Sequence, residues 1–322
     1  VSLLGRLSIL GGAPPSKLPP LDGLLARSRA ERTTAVVCRN LGIPCDLERS
    51  ILARQLMARH QAGEILGAIE AIPLKGLYLA HHLYPSPGLR DMGDLDLLVR
   101  RTGVRDADGE LRRLGYVPDF APDLIDGGTL NAVEYWRDGA MPVHLHWHVS
   151  NASLPHFMYR IDVDEIWREA RGGAMAPHHL LITLCEHALK HSFAELIHLT
   201  DIELASRGAD WNLVAETARR WGLETAVHYA LVLLRDLAEL DSPGLRFLRS
   251  PRLDWAGRAF LAMARSRRWN GLSALGLMSM TPQKGRFIRE AISPPKREGL
   301  RSRTVMGRLR QAVGRAGAGL TS

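Results

Sequence analysis

The period of the apolar positions changes twice along the chain. The stretch opening at Asp46-Leu47-Glu48-Arg49-Ser50-Ile51-Leu52 repeats at helical spacing and predicts a helix to about Glu70. From 72 to about 150, strand and turn signals dominate. Asp138-Gly139, between Val133-Glu134-Tyr135-Trp136 and the run 143–149, predicts a hairpin. The helical period returns at Pro177, a residue suited to a first helical turn. There Leu180, Leu181, Leu184, Ala188 and Leu189 form an apolar stripe, and Glu186 and Lys190 are expected as a surface pair one turn apart. Asp210 is the expected N-cap of a helix that Gly222 ends, and a further helix is expected over about 224–240. Residues 11–20, rich in glycine and proline, read as an irregular lead-in, and Gly172-Gly173 marks a boundary.

One strand carries chemistry. In Gly93-Asp94-Leu95-Asp96-Leu97-Leu98-Val99 two carboxylates lie one residue apart. Side chains alternate along a strand, so Asp94 and Asp96 share one face while Leu95, Leu97 and Val99 share the other. Two like charges at such spacing repel by roughly 3–4 kcal/mol at an effective dielectric near 20. A hard divalent cation, Mg²⁺ or Mn²⁺, resolves the conflict and suggests chemistry on phosphates. Upstream, Lys75-Gly76 joins a short apolar run to a helix-like stretch, 77–83, the form of an anion site. Arg90 adds a planar donor fork suited to phosphate oxygens.

These residues carry a family resemblance. Leu74-Lys75-Gly76, Tyr84-Pro85, Pro87-Gly88-Leu89-Arg90, Met92 and Asp94-Leu95-Asp96 resemble the uncharacterised nucleotidyltransferases of bacterial biosynthetic clusters, a branch of the polymerase-β-type superfamily. The likeness continues through Leu114-Gly115-Tyr116, Leu145-His146-Trp147, Ile166-Trp167, His187, His191, Asp201 and Asp210-Trp211, over roughly 50 to 240. It implies transfer of an NMP group from an NTP, ATP being the first candidate, to an acceptor. Asp94 and Asp96 would hold the metal, Lys75 and Gly76 would cradle phosphates, and Arg90 would offset developing charge. The superfamily places a third carboxylate on a later strand. Here His144 stands where the related family has an acidic residue, and Asp91 stands where it has proline. His144 therefore becomes the candidate base or metal ligand, with Glu134 on the paired strand as its rival.

The expected architecture is α+β: an N-terminal helical segment (1–70), a small mixed-sheet nucleotidyltransferase core (71–171), a helical domain (174–282) and a basic tail (283–322). His187 and His191, one turn apart, are candidates for contacts across the cleft, with Asp201 a partner for either. Trp147, Trp167 and Trp211 are expected in the core or between domains, and Cys185 as a small buried residue.

Composition narrows the setting. Three cysteines in 322 residues make no disulfide framework, so a reducing cytoplasm is expected. No apolar run approaches the ~18 residues of a membrane span. The first residues, Val1-Ser2-Leu3-Leu4, do not read as a signal peptide, and a start without methionine suggests trimming. A net charge of +8 favours anionic partners. NTP is one. The acceptor, whether small molecule, peptide or protein, is undetermined. A nucleic acid ranks lower, because Phe287 is the only aromatic in the basic tail to stack on bases. A catalytically silent binding module and a nucleic-acid end-modifying enzyme are the alternative functions.

Overall fold

A computed structural model describes residues 3–16, 18–119, 125, 130–150, 159–248, 253–266 and 273–292. Four helices lead: α1 (Leu3–Leu7), α2 (Leu21–Ala30), α3 (Thr34–Leu41) and α4 (Asp46–Leu66). The sheet region follows as β1 (Ile72–Pro73), α5 (Gly76–His82), β2 (Leu95–Leu98), α6 (Val104–Arg113), β3 (Val117–Pro118), β4 (Ala132–Trp136) and β5 (Val143–His146). The rest is helical: α7 (Val163–Glu169), α8 (Pro177–Lys190), α9 (Leu196–Ser206), α10 (Trp211–Trp221), α11 (Glu224–Ala238), α12 (Trp255–Ser266), α13 (Ser273–Ser279) and α14 (Lys284–Ile292). This is a mixed α/β architecture consistent with the expected α+β class. Of the expected basic tail, residues 293–322 lie outside the described residues.

The strand order is β1-β2-β5-β4-β3. Only β2 and β5 run parallel; the other neighbours are antiparallel. The sheet separates two apolar cores. Leu95, Leu97, Val99, Val143 and Leu145 pack with Ala58, Ala62 and Ile65 of α4 and with Val104, Ala107 and Leu111 of α6. Leu98, Ile72 and Leu74 join the larger core of the helical half. That core also takes Leu4, Leu7 and Val36 from the N-terminal helices, so the chain's start packs on its helical second half.

Local signals explain some element ends. The Asp210 carboxylate accepts from Asn212 and Leu213 N–H at 3.0 and 3.1 Å, and Gly222 ends α10 in the left-handed region at φ 74°. Helix α4 stops at Leu66, four residues before the expected end, where Gly67 begins the turn into the sheet. The strand expected over 143–149 pairs only over Val143–His146. Helix α6 interrupts a region read as strands and turns. Its buried Val104, Ala107, Asp108 and Leu111 keep helical spacing, but only three of the four are apolar.

Two expectations about the helical half need correction. The Glu186–Lys190 pair forms, at 3.5 Å, but Glu186 is buried and also accepts from the Tyr159 hydroxyl. Asp201 pairs with neither histidine; it holds Arg90 and Tyr84. Trp147, Trp167, Trp211 and Cys185 are buried as expected.

Candidate active site

Register builds the site. Parallel pairing sets Asp96 opposite His144, and antiparallel pairing sets His144 opposite Glu134, giving one row across β2, β5 and β4. His146 sits one alternation further along β5. The His146 Nε2–H donates to Asp96 Oδ1 at 2.7 Å. His144 Nδ1 lies 3.4 Å from Asp94 Oδ2 and 3.7 Å from Asp96 Oδ1, while its Nε2 lies 3.1 Å from Glu134 Oε1. The ligating atoms of Asp96, His144 and His146 all fall within 4.8 Å of one another, a set able to hold a metal ion. Lys75 Nζ reaches Asp96 Oδ2 at 3.3 Å.

Electrostatics follow from this crowding. Burial pushes the Asp94 carboxyl up, and the Asp96 charge adds to the rise. Burial would also raise Asp96, but Lys75, His144 and His146 outweigh it and hold that carboxyl well below the usual range. Asp96, with Glu134 and Asp94 behind it, draws His144 up to about 9 against the effect of burial. His146 goes the other way: burial lowers it despite Asp96. The two carboxylates thus carry opposite shifts, as two like charges sharing a site must.

Lys75 and Gly76, the residues expected to cradle phosphates, occupy a strained turn. Lys75 has φ 45° and ψ −117°, a conformation that costs a non-glycine residue about 1–3 kcal/mol. Two hydrogen bonds fix it: Leu74 N–H to Asp96 O and Leu79 N–H to Lys75 O, each 2.8 Å. The strain aims Lys75 at the carboxylates. Gly76 follows it at the start of α5. A Cβ there would lie 3.0 Å from Met92 Cβ, so Gly76 is small because Met92 packs against it.

Arg90, expected from the sequence to meet phosphate, lines the cavity over the carboxylates and is held by protein partners. Its side chain is buried, and its Nε and Nη2 donate to Asp201 at 2.7–3.1 Å. Nη1 donates to the carbonyl of Asp91. Tyr84 donates to the same Asp201 at 2.7 Å, and the Arg90 carbonyl accepts from Gln55. The guanidinium therefore ties the loop leading to Asp94 onto α9. Gly88, two residues earlier, is needed for close approach: its Cβ would sit 2.6 Å from the Glu48 carbonyl of α4.

A cavity of about 540 Å³ opens over the carboxylate row and is closed from the helical half by His187, Lys190, His191 and His198. The three imidazoles cluster with centroids 4.5–5.7 Å apart. Burial, then Lys75 or Arg90, drives the pKa of His187 and His198 well down, so both are neutral. Arg32 also lines the cavity. It sits in the left-handed region at φ 57°, between α2 and α3, and donates to the Asp91 carbonyl at 3.2 Å. Neighbouring Glu31 accepts from Leu196 N–H at 2.9 Å, docking this turn on the start of α9. Sequence reading missed Arg32, Lys190 and His198. A basic residue in a turn with no motif around it gives no local signal.

Residues 46–239, more than half of the chain, match the model of a family described as uncharacterised nucleotidyltransferase. The chain belongs to that family. No curated protein and no solved structure matches it significantly. The family segment contains Lys75, Gly76, Arg90, Asp94, Asp96, Glu134, His144 and the helical wall of the cavity; Arg32 lies outside it. Membership in the nucleotidyltransferase family supports a transferase acting on an NTP, and Asp96, His144 and His146 form a group that could hold a metal ion. Among the described residues no helix is long and apolar enough to cross a membrane.

Proposed function

We propose that the protein is a divalent-metal-dependent transferase that moves an NMP group from an NTP to a hydroxyl-bearing acceptor and releases pyrophosphate. The observation that carries this reading is the Asp94–Asp96 pair, joined by two imidazoles and facing a cavity whose other wall carries Arg32 and Lys190. The donor set fits a metal ion: two carboxylates, one buried, with imidazole nitrogens at 2.7–3.7 Å from them. Asp94 and Asp96 would hold it, and the imidazoles make Mn²⁺ as acceptable as Mg²⁺. Such an ion, when bound, neutralises phosphate charge and polarises the phosphorus under attack.

The chain's own residues supply the rest. Lys75, aimed by its strained turn, is shared between Asp96 and the phosphate oxygens, whose charge it offsets. Arg32 and Lys190 face the same cavity and suit the distal phosphates. His144 presents Nδ1 to the carboxylates and Nε2 to Glu134, so Glu134 orients the ring; with the charges that raise His144 offset by an ion on Asp94 and Asp96, Nδ1 is free to take the acceptor's proton. Arg90 positions the loop through Asp201 and touches no phosphate in this reading. Three free cysteines suit the cytoplasmic setting we propose. The test is product formation: radiolabelled NMP transfer should vanish in Asp94→Asn/Asp96→Asn and fall in Glu134→Gln. Undiminished transfer in the double variant would refute the proposal.

A further inference from the structure

A second group of ligating side chains lies away from this cavity, where α7 turns back into α8. Glu165 and Glu169 are one turn apart on α7, and His178 and His179 follow Pro177 in the first turn of α8. The reversal between them is made by Gly172 and Gly173, both at positive φ, closed by Arg171–Ala174 pairing. One ligating atom from each of the four residues falls within 4.8 Å of the other three.

The histidines are the unusual part. His179 is fully buried, and neither of its ring nitrogens has a hydrogen-bond partner; His178 Nε2, equally shielded from water, has none either. A neutral imidazole has one N–H and one lone pair, and each left unmet in the interior costs about 1–3 kcal/mol. The nearest groups are carboxylates out of hydrogen-bonding geometry: Glu169 Oε2 at 3.4 Å from His178 Nε2 and Glu165 Oε1 at 3.5 Å from His179 Nε2. Bond lengths of 2.0–2.1 Å to tetrahedral zinc separate two ligands by about 3.3 Å, so these two edges already have the right span. Outer partners hold the set in place. Glu165 accepts from Arg220 and from Trp221 Nε1, and the His179 ring stacks on Trp221 at 4.9 Å.

We propose that Glu165, Glu169, His178 and His179 form a structural zinc site that clips α7 to α8. Two nitrogens and two carboxylate oxygens, three of them from buried residues and the fourth from Glu169 at the surface, suit tetrahedral Zn²⁺ better than the oxygen-seeking Mg²⁺. With four protein ligands the site leaves no open position for substrate, so its role is stability.

The full chain, stripped with chelator and desalted, is titrated with Zn²⁺ alone, and bound metal is counted by mass spectrometry. Wild type is expected to retain one equivalent that Asp96→Asn also retains. Glu169→Gln, at a half-exposed position that tolerates change, should bind zinc more than about tenfold more weakly, since losing even an outer partner of a ligand costs that much. His178→Gln/His179→Gln should lose the ion. Zinc should raise the melting temperature of Asp96→Asn but not that of the ligand variants made in the Asp96→Asn background, because an ion bound only by the folded state stabilises it. The Co²⁺ form should show the intense visible bands of a tetrahedral site. No retained zinc in wild type, zinc lost with Asp96→Asn, or unchanged affinity in Glu169→Gln would each overturn the assignment. None of these outcomes depends on nucleotide transfer.

Discussion

Removing Asp201 strands a buried cation. Arg90 and Asp201 are 6% and 2% exposed, and the guanidinium makes three donor contacts to that carboxylate. Tyr84, also buried, makes a fourth. Breaking a buried pair from one side costs about 3–5 kcal/mol, because the remaining charge stays out of water. Asp201→Leu should therefore lose about 5 kcal/mol, at the upper end of that range since Tyr84 also loses its acceptor. Tyr84→Phe removes one hydrogen bond to a charged group and should cost about 1.5–3 kcal/mol. The double variant Arg90→Met/Asp201→Leu leaves no orphaned charge, and apolar replacements of both partners are often neutral. It should be more stable than either single variant. Urea unfolding followed by circular dichroism gives the midpoints and slopes. A double variant whose loss equals the sum of the single losses would refute the argument, because additivity means that the two groups do not interact.

Further outcomes follow from the same geometry. His187 and His198 are held neutral by burial, facing Lys75, Lys190, Arg32, Arg90 and His191, so their folded pKa values lie below the unfolded value near 6.5. The unfolded chain then binds more protons, and stability falls as pH drops below about 6.5, by up to about 1.4 kcal/mol per pH unit for each histidine; unfolding midpoints at pH 6.5 and 5.5 that coincide would contradict this, and His187→Gln should flatten the slope. Arg32→Ala should weaken NTP binding about tenfold, a loss of about 1.4 kcal/mol, while leaving nucleoside binding unchanged; calorimetry with both ligands tells a phosphate contact from general damage. Gly76→Ala pushes a methyl into Met92 and should cost about 1–3 kcal/mol as overpacking does, with Met92→Ala restoring part of it; a neutral Gly76→Ala would show that Met92 gives way freely.

What the sequence makes legible is what local physics decides. Helix α10 is readable from Asp210 and Gly222 because both ends are capped by residues whose preference is intrinsic. The facing of Asp94 and Asp96 away from Leu95 and Leu97 follows from strand alternation. Neighbour relations are not local. Nothing within 94–99 tells that β5 will lie parallel to β2 and bring His144 and His146 to Asp96, or that β4 will set Glu134 behind His144. Arg90 carries the features of a phosphate ligand, and only the packing of α9, more than a hundred residues later, engages it with Asp201. Arg32 owes its place to a left-handed turn docked on α9. Helix α6 escapes notice because a buried Asp108, bonded to Tyr135 and Arg112, breaks its apolar face.

The most direct test of the central claim is calorimetric NTP binding, with each of the four nucleotides in Mg²⁺, Mn²⁺ or EDTA, on wild type and Asp94→Asn/Asp96→Asn. Binding that requires the divalent ion and disappears in a well-folded double variant is the predicted result. Binding that persists in EDTA or in the double variant would contradict the assignment of these carboxylates to the metal-nucleotide site.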